Sequence, residues 1–199
     1  MVALGLFDPS PQANHVFSAG IDRAIVVALE AHAGQTRKGL DGHPYVIHPL
    51  HVGLMLARFD LDEEVIQAGI LHDVVEDCDS WTHDRIEELF GARVSALVVE
   101  LSEDKSLSWG ERKQWAVDHV AHMSIDGCDV KACDKLHNLS SLLGDLERAA
   151  DHSTVWSTFG GGPERTLHMA RALVDALRPR VHARISTALD EVMLKLEAL

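Results

Sequence analysis

The sequence predicts an all-α fold, a single bundle of about ten helices. Three observations predict it. Apolar residues recur three and four positions apart along nearly the whole chain, no segment sustains the alternation of a strand, and Gly, Pro, Ser and Thr fall where the periodic runs stop. A length of 199 residues with 46% hydrophobic content suits one compact core. There is no internal repeat or low-complexity tract.

The elements follow in order. Ile21, Ala24, Ile25, Ala28 and Leu29 make an apolar stripe that ends near Gly34. A loop containing Gly39, Gly42 and Pro44 leads to Pro49, which begins a second helix through Leu56. Asp62 is placed to cap a third helix that runs on through Gly69 to Asp77. Thr82 and Gly91 bracket a short exposed helix starting at His83–Asp84. Val94, Leu97, Val98 and Leu101 mark the next, and Ser108 with Glu111 has capping-box spacing for a segment reaching His122. Val130 to Leu143 reads as a further helix. The run Gly160–Gly161–Gly162–Pro163 is the clearest break, with Pro163 suited to a first helical turn, and Val181 to Leu196 closes the chain.

Composition excludes several classes. The net charge of −13 argues against DNA, RNA or an anionic membrane as partner, so positive charge meeting a small anionic substrate must be local. No run reaches the length of a membrane span, and the first residues lack a charged start followed by an apolar signal segment. Cys78, Cys128 and Cys133 form no CxxC pair, which points to a reducing cytoplasm rather than a disulfide framework or thiolate zinc site.

The stretch from Gly69 to Asp77 carries the chemistry. His72, Asp73, Glu76 and Asp77 share a stripe among Ile70, Leu71, Val74 and Val75. Burying that many carboxylates and an imidazole beside aliphatic surface costs several kcal/mol, roughly, and a divalent cation compensates it. The second His-Asp pair, His83–Asp84, lies at an exposed helix start and reads as capping. Residues from other helices must complete the ligand set, because neighbours alone cannot surround an ion. His48, before Pro49 at a loop-to-helix entry, and Asp134, within Val130–Leu136, are the candidates; an ordinary loop histidine and helix acid are the alternatives. Two imidazoles and two carboxylates leave positions for water and a phosphate oxygen, with manganese, iron and zinc all suited to the set. Glu76 and Asp77, one turn beyond, stand where acids could align water and move protons. Arg37–Lys38 supplies a local positive site in the glycine-containing loop. Lys105, Arg112 and Lys113 are candidate phosphate contacts, and Asn138 and Ser141 lie one and two turns beyond Asp134 on its face.

His48, His72–Asp73 and Asp134 match the H…HD…D pattern of the HD-domain phosphohydrolases. The chain resembles in particular the RelA/SpoT-type alarmone hydrolase domain. The resemblance runs through Ala31–Lys38, Pro44–Pro49, Leu71–Asp77, Glu100–Leu107, Glu111–Lys113 and Asp134–Leu139. With no synthetase portion following, it looks like a stand-alone small alarmone hydrolase. The expected organisation is one hydrolase domain over residues 1–199, with the motifs in 31–143 and helices in 163–199 completing the bundle.

The resemblance implies an all-α HD-domain bundle, a single Mn2+, and removal of pyrophosphate from the 3′ position of ppGpp or pppGpp. It implies His48, His72, Asp73 and Asp134 as ligands and Glu76 and Asp77 as catalytic acids. It also implies Arg37 against the base, and ribose or base contacts from Asn138 and Ser141. Fe2+ or Zn2+ in place of Mn2+, ppApp, the 2′-phosphate of NADPH or a 5′-nucleotide as substrate, and a non-catalytic nucleotide sensor are the alternatives. The segment Glu164–Met169 departs from the aromatic-rich stretch of many relatives, which leaves guanine or adenine preference open. An oligomer is compatible with the sequence. His32, His43, His51, His119, His122 and His137 are too scattered for a second metal, and Trp81, Trp109, Trp115 and Trp156 read as packing residues.

Overall fold

A computed structural model describes residues 17–199. The sequence expectation of no signal segment falls on the first residues, outside that range. Helix α1 spans Ala19–Ala31, and Ser18 caps it by accepting a hydrogen bond from the Ile21 N–H. Then come α2 (Ile47–Arg58), α3 (Glu63–Leu71), α4 (Val74–Asp77), α5 (His83–Phe90) and α6 (Ala92–Leu101). Helix α7 (Trp109–His119) continues into a 3-10 turn, Val120–His122, and is followed by α8 (Ile125–Arg148) and α9 (His152–Trp156). Helix α10 (Gly162–Leu177), a second 3-10 turn and α11 (Ala183–Glu197) complete the order. Among the described residues no strand forms; Thr36 and Pro44 make one isolated bridge. No helix among them is long and apolar enough to cross a membrane.

Helix α8, 24 residues long, is the spine, with α2, α3, α6 and α11 packed around it. The core is continuous from Ala24 and Val27 of α1 through Leu56, Leu71, Val74 and Leu146 to Leu189 and Met193 of α11. Each such large side chain stabilises the fold by roughly 1.5–3 kcal/mol relative to exposure. Two glycines set the closest approach. A Cβ on Gly53 of α2 would come 2.5 Å from Ile70 Cγ1, and one on Gly69 of α3 would collide with Leu56 Cδ1. Helices α2 and α3 therefore pack nearly backbone to side chain, which brings His48 and His72 toward one point.

Four expectations change. The third helix is not continuous to Asp77: α3 stops at Leu71 and α4 restarts at Val74. His72 Nδ1 bonds the Gly69 carbonyl at 2.8 Å, the acceptor a continuing helix would offer to residue 73. Asp62 stands at the N-cap position but makes no cap; its carboxylate pairs with Arg93 at 3.0 Å instead. Helix α8 extends well beyond Val130–Leu143, starting behind Ser124, whose hydroxyl accepts from the Gly127 N–H. Leu29, placed in the buried stripe of α1, is 47% exposed. The remaining caps form as expected: Ser108 and Glu111 make a complete capping box, Thr82 caps α5, and Gly91 closes it at φ 88°.

A candidate metal centre in a charged cleft

His48 enters from the first turn of α2, His72 and Asp73 from the break between α3 and α4, and Asp134 from the middle of α8. The ligand atoms of His48, His72 and Asp134 lie within 4.8 Å of one another. His48 Nε2 is 3.3 Å from Asp134 Oδ1 and 3.5 Å from Asp73 Oδ2. His72 Nε2 is 3.2 Å from Asp73 Oδ2 and 4.0 Å from Asp134 Oδ1. Asp73, the fourth expected ligand, falls outside the tightest group but within reach of both imidazoles. Donors that share an ion at about 2.1 Å stand at such separations.

The residues fit a divalent cation on a further observation. His72 Nε2 is buried without a hydrogen-bond partner, because the Asp73 oxygen beside it lies off the direction a bond requires. Its other nitrogen is committed to the Gly69 carbonyl, so in the neutral imidazole that a metal takes the Nε2 lone pair faces the cluster. His48 is held alike: its Nδ1 lies 3.0 Å from His137 Nδ1, so one of the two carries the shared proton. Assigning it to His48 leaves His48 Nε2 as the free lone pair. Burial, with His48 and Arg37 nearby, brings His137 down to about 3, so it stays neutral and able to accept. Asp73 is oriented by Tyr45, whose hydroxyl donates to Oδ2 at 2.6 Å. Burial and that carboxylate hold the Tyr45 phenol protonated.

The charges around the cluster are interdependent. Burial opposes protonation of His72, but Asp73 and Asp134 carry it up to about 9. Burial holds His48 below its ordinary value against the pull of Asp134. Burial would raise both aspartates, yet the adjacent imidazoles keep Asp73 and Asp134 well below the usual carboxylate range. Two anionic carboxylates and two imidazole donors make a set that a divalent ion neutralises.

Glu76 and Asp77 lie on the same cleft, which has a volume of about 550 Å³. Glu76 Oε2 accepts from the Glu103 N–H at 3.2 Å, and Lys105 Nζ donates to Asp77 Oδ1 at 2.6 Å and to the Glu76 carbonyl at 2.6 Å. Burial, only partly offset by the Glu103 N–H, raises the Glu76 carboxyl, in the direction that suits proton transfer near neutrality. Lys105 is thereby a partner of the acids in this structure.

At the other end Arg37 Nη2 donates to Asn138 Oδ1 at 2.7 Å, and Asn138 Nδ2 donates in turn to Asp134 Oδ1. Burial lowers the Arg37 guanidinium from its ordinary value. Lys38, Ser141 and Asp145 also line the cleft. Arg148 joins Asp41 of the loop to Asp145 of α8, at 2.7 Å to each, clasping the loop that carries Arg37. Gly39 fits beneath it at φ +133°, where a Cβ would stand 2.7 Å from Asp145 Oδ2.

Two expected substrate contacts are kept off the cleft wall: Lys105 pairs with Asp77 at 2.6 Å, and Arg112 faces Glu103 at 3.6 Å. Lys113 does line the cleft, and so do Lys131 and Lys135, which sequence reasoning missed although Lys131 stands one turn before Asp134 on α8. Burial carries Lys135 down to about 8 against the pull of Asp134. Tyr45 was quoted only as part of a motif and His137 given no role; both prove to bond the ligand cluster directly. Trp109, expected to pack, borders the cleft with Phe159, Thr166 and Met169, whereas Trp81 is buried as expected.

A family model described as an HD domain matches residues 24–161. The zebrafish (Danio rerio) guanosine-3′,5′-bis(diphosphate) 3′-pyrophosphohydrolase MESH1 is 43% identical over 117 residues, 58% of this chain and 64% of that protein. The chain thus spans less than two thirds of that relative. The Drosophila melanogaster MESH1 is 35% identical over 182 residues, 88% of this chain and 93% of that one. The Escherichia coli bifunctional (p)ppGpp synthase/hydrolase SpoT is 32% identical over 85% of this chain, but only 23% of its own length. Among solved structures, a metazoan ortholog of SpoT described as hydrolysing ppGpp superposes with a TM-score of 0.77 at 32% identity, covering 92% of this chain and 98% of that chain.

Proposed function

The chain belongs to the HD-domain family, and from that premise we propose that it hydrolyses the 3′-pyrophosphate of ppGpp and pppGpp, releasing pyrophosphate with GDP or GTP. One observation carries the reading: the buried, unpartnered His72 Nε2 points into a cluster of His48, Asp73 and Asp134 on the same cleft as Glu76 and Asp77. His32 Nε2 is also buried without a partner, but His72 Nε2 differs in facing two carboxylates, Asp73 and Asp134, together with the second imidazole of His48. A nucleotide sensor needs a cleft but not an acid pair beside a ligand set.

His48, His72, Asp73 and Asp134 would hold one divalent cation, for which we name Mn2+. When bound, it supplies Lewis acidity toward a phosphoryl oxygen and acidifies water. Glu76, raised toward neutrality, takes the proton from the attacking water, and Asp77 orients that water. Water attacks the phosphorus nearest the ribose, the P–O3′ bond breaks, and the proton ends on the 3′ oxygen. Arg37 and Lys38 hold the nucleoside end from the clasped loop, while Asn138 and Ser141 offer hydrogen bonds to ribose or base edge. We further propose one hydrolase domain over residues 1–199 acting in the cytoplasm; Cys78, Cys128 and Cys133 are free and buried, in keeping with a reducing compartment.

The test is incubation of Mn2+-loaded protein with ppGpp, ppApp, NADPH and a nucleoside 5′-monophosphate in oxygen-18 water. The expected result is label in pyrophosphate and an unlabelled nucleoside hydroxyl. Orthophosphate as first product, or efficient turnover of the 5′-monophosphate, would move the chain to another phosphatase class.

A further inference from the structure

Two ammonium groups converge on one carboxylate in the cleft, and a third lines the same wall. Lys113 Nζ lies 2.9 and 3.2 Å from the two Glu103 oxygens, and Lys131 Nζ lies 3.8 Å from the nearer one. Lys135 stands close enough to both lysines and to Glu103 to feel their fields. All three lysines line the cleft. An ammonium has three donors, and Glu103, even with Asp134 pulling on Lys131 and Lys135, cannot satisfy nine N–H groups or balance three positive charges. Arg112, on the far side of Glu103 at 3.6 Å, adds a fourth cation to the same acid. In a chain of net charge −13, this is a half-buried excess of positive charge facing an open volume. Such an excess calls for an anion with several acceptor oxygens.

Helix α8 orders what stands beside it. Lys131, Asp134, Asn138, Ser141 and Asp145 follow one another at three- and four-residue spacing, so they share one face, and all five line the cleft. The face is basic at its start, carries the ligand Asp134 next, then turns to an amide and a hydroxyl, and ends on a carboxylate. Asp145 repels a phosphate but can accept from base N–H groups. The face therefore has a direction.

We propose that Lys113, Lys131 and Lys135 form a pyrophosphate-binding pocket, so that the substrate lies along α8 with its 3′-pyrophosphate at the Lys131 end and its nucleoside toward Asp145. The proposal deepens the reaction proposed above and rests on it for the identity of the anion. It makes the lysines the last groups to hold the leaving pyrophosphate, after the P–O3′ bond has broken.

The experiment uses the full chain loaded with Mn2+ and reads inhibition of ppGpp hydrolysis by inorganic pyrophosphate and, separately, by GDP. Lys131→Met is expected to weaken pyrophosphate inhibition about tenfold or more, the loss of a charge-assisted hydrogen bond, and to leave GDP inhibition nearly unchanged. Lys131→Arg should restore it, and Asn138→Ala should show the converse pattern. Lys135→Met serves as a second probe should Lys131→Met melt early. Equal weakening of both inhibitors, or pyrophosphate inhibition intact in both methionine variants, would overturn the pocket. Calorimetric titration with inorganic pyrophosphate, without nucleotide, separates the two readings. Binding lost in Lys131→Met from a protein that leaves ppGpp intact would retain the pocket and sink the reaction. Turnover of ppGpp with pyrophosphate affinity unchanged in Lys131→Met would do the reverse.

Discussion

His48 and His72 sit on helices pressed together at two glycines, whereas Glu76 and Asp77 sit on a four-residue helix steadied largely by one half-exposed lysine. The two histidines each have a second nitrogen tied down, one to the Gly69 carbonyl and one to His137. The acids depend on a loop, through the Glu103 N–H and the Lys105 side chain. Donors to a metal must be held within tenths of an ångström, and packed helices do that. Proton-handling groups must move between partners, and a short helix on a loop allows it.

The comparison breaks most sharply if ligand and acid variants behave alike. Asp73→Ala should abolish metal retention in a calorimetric titration and lower the melting temperature, because it removes the acceptor of the Tyr45 hydroxyl and one of the two carboxylates beside both imidazoles. Full metal occupancy in that variant would return the quartet to an ordinary polar cluster. Glu76→Gln keeps the shape and removes the carboxylate proposed as base, so kcat should fall by about a hundredfold or more while metal stays bound. Metal lost from Glu76→Gln would make that acid a ligand and erase the distinction.

Smaller changes sharpen the same contrast. Tyr45→Phe removes only the hydroxyl that orients Asp73, and metal affinity should weaken about tenfold with KM for the nucleotide little changed. A rise in KM without loss of metal would place Tyr45 on the substrate instead. The least effect concerns pH. Burial would raise the Glu103 carboxyl, but Lys131, Lys113 and Arg112 bring it below the ordinary glutamate value. A carboxylate depressed in the folded state contributes stability that is complete above its unfolded pKa, about 4.3, and is lost as pH falls through the depressed value. Glu103→Gln should therefore lower the melting temperature at pH 7 and flatten its acid decline; an unchanged profile would mean the lysines need no carboxylate between them.

What the sequence made legible was what leaves a local trace. His72, Asp73, Glu76 and Asp77 stood out as polar residues in an apolar run, and Ser108 with Glu111 announced a helix start that the fold contains. The break at His72 left no trace, because it comes from a side chain capturing its own helix's carbonyl while the backbone stays nearly helical. The roles of Tyr45 and His137 were hidden for another reason. Their partners lie 28 and 89 residues away, and only tertiary packing brings them together. Lys131 and Lys135 read as ordinary helix cations until Glu103 and Lys113 arrive from a different part of the chain.

The clasp of Asp41, Arg148 and Asp145 has a consequence for the cell's ionic conditions. Arg148 is 55% exposed at the side chain, so its bonds work in water and are weak. The Debye length shrinks from about 10 Å at 0.1 M salt to about 3 Å at 1 M, weakening exposed pairs first. Ionic strength thus acts unequally on one cleft, loosening the loop that bears Arg37 while the buried histidines and aspartates keep their grip. Salt is therefore expected to act on the Arg37 loop of the cleft far more than on its buried cluster.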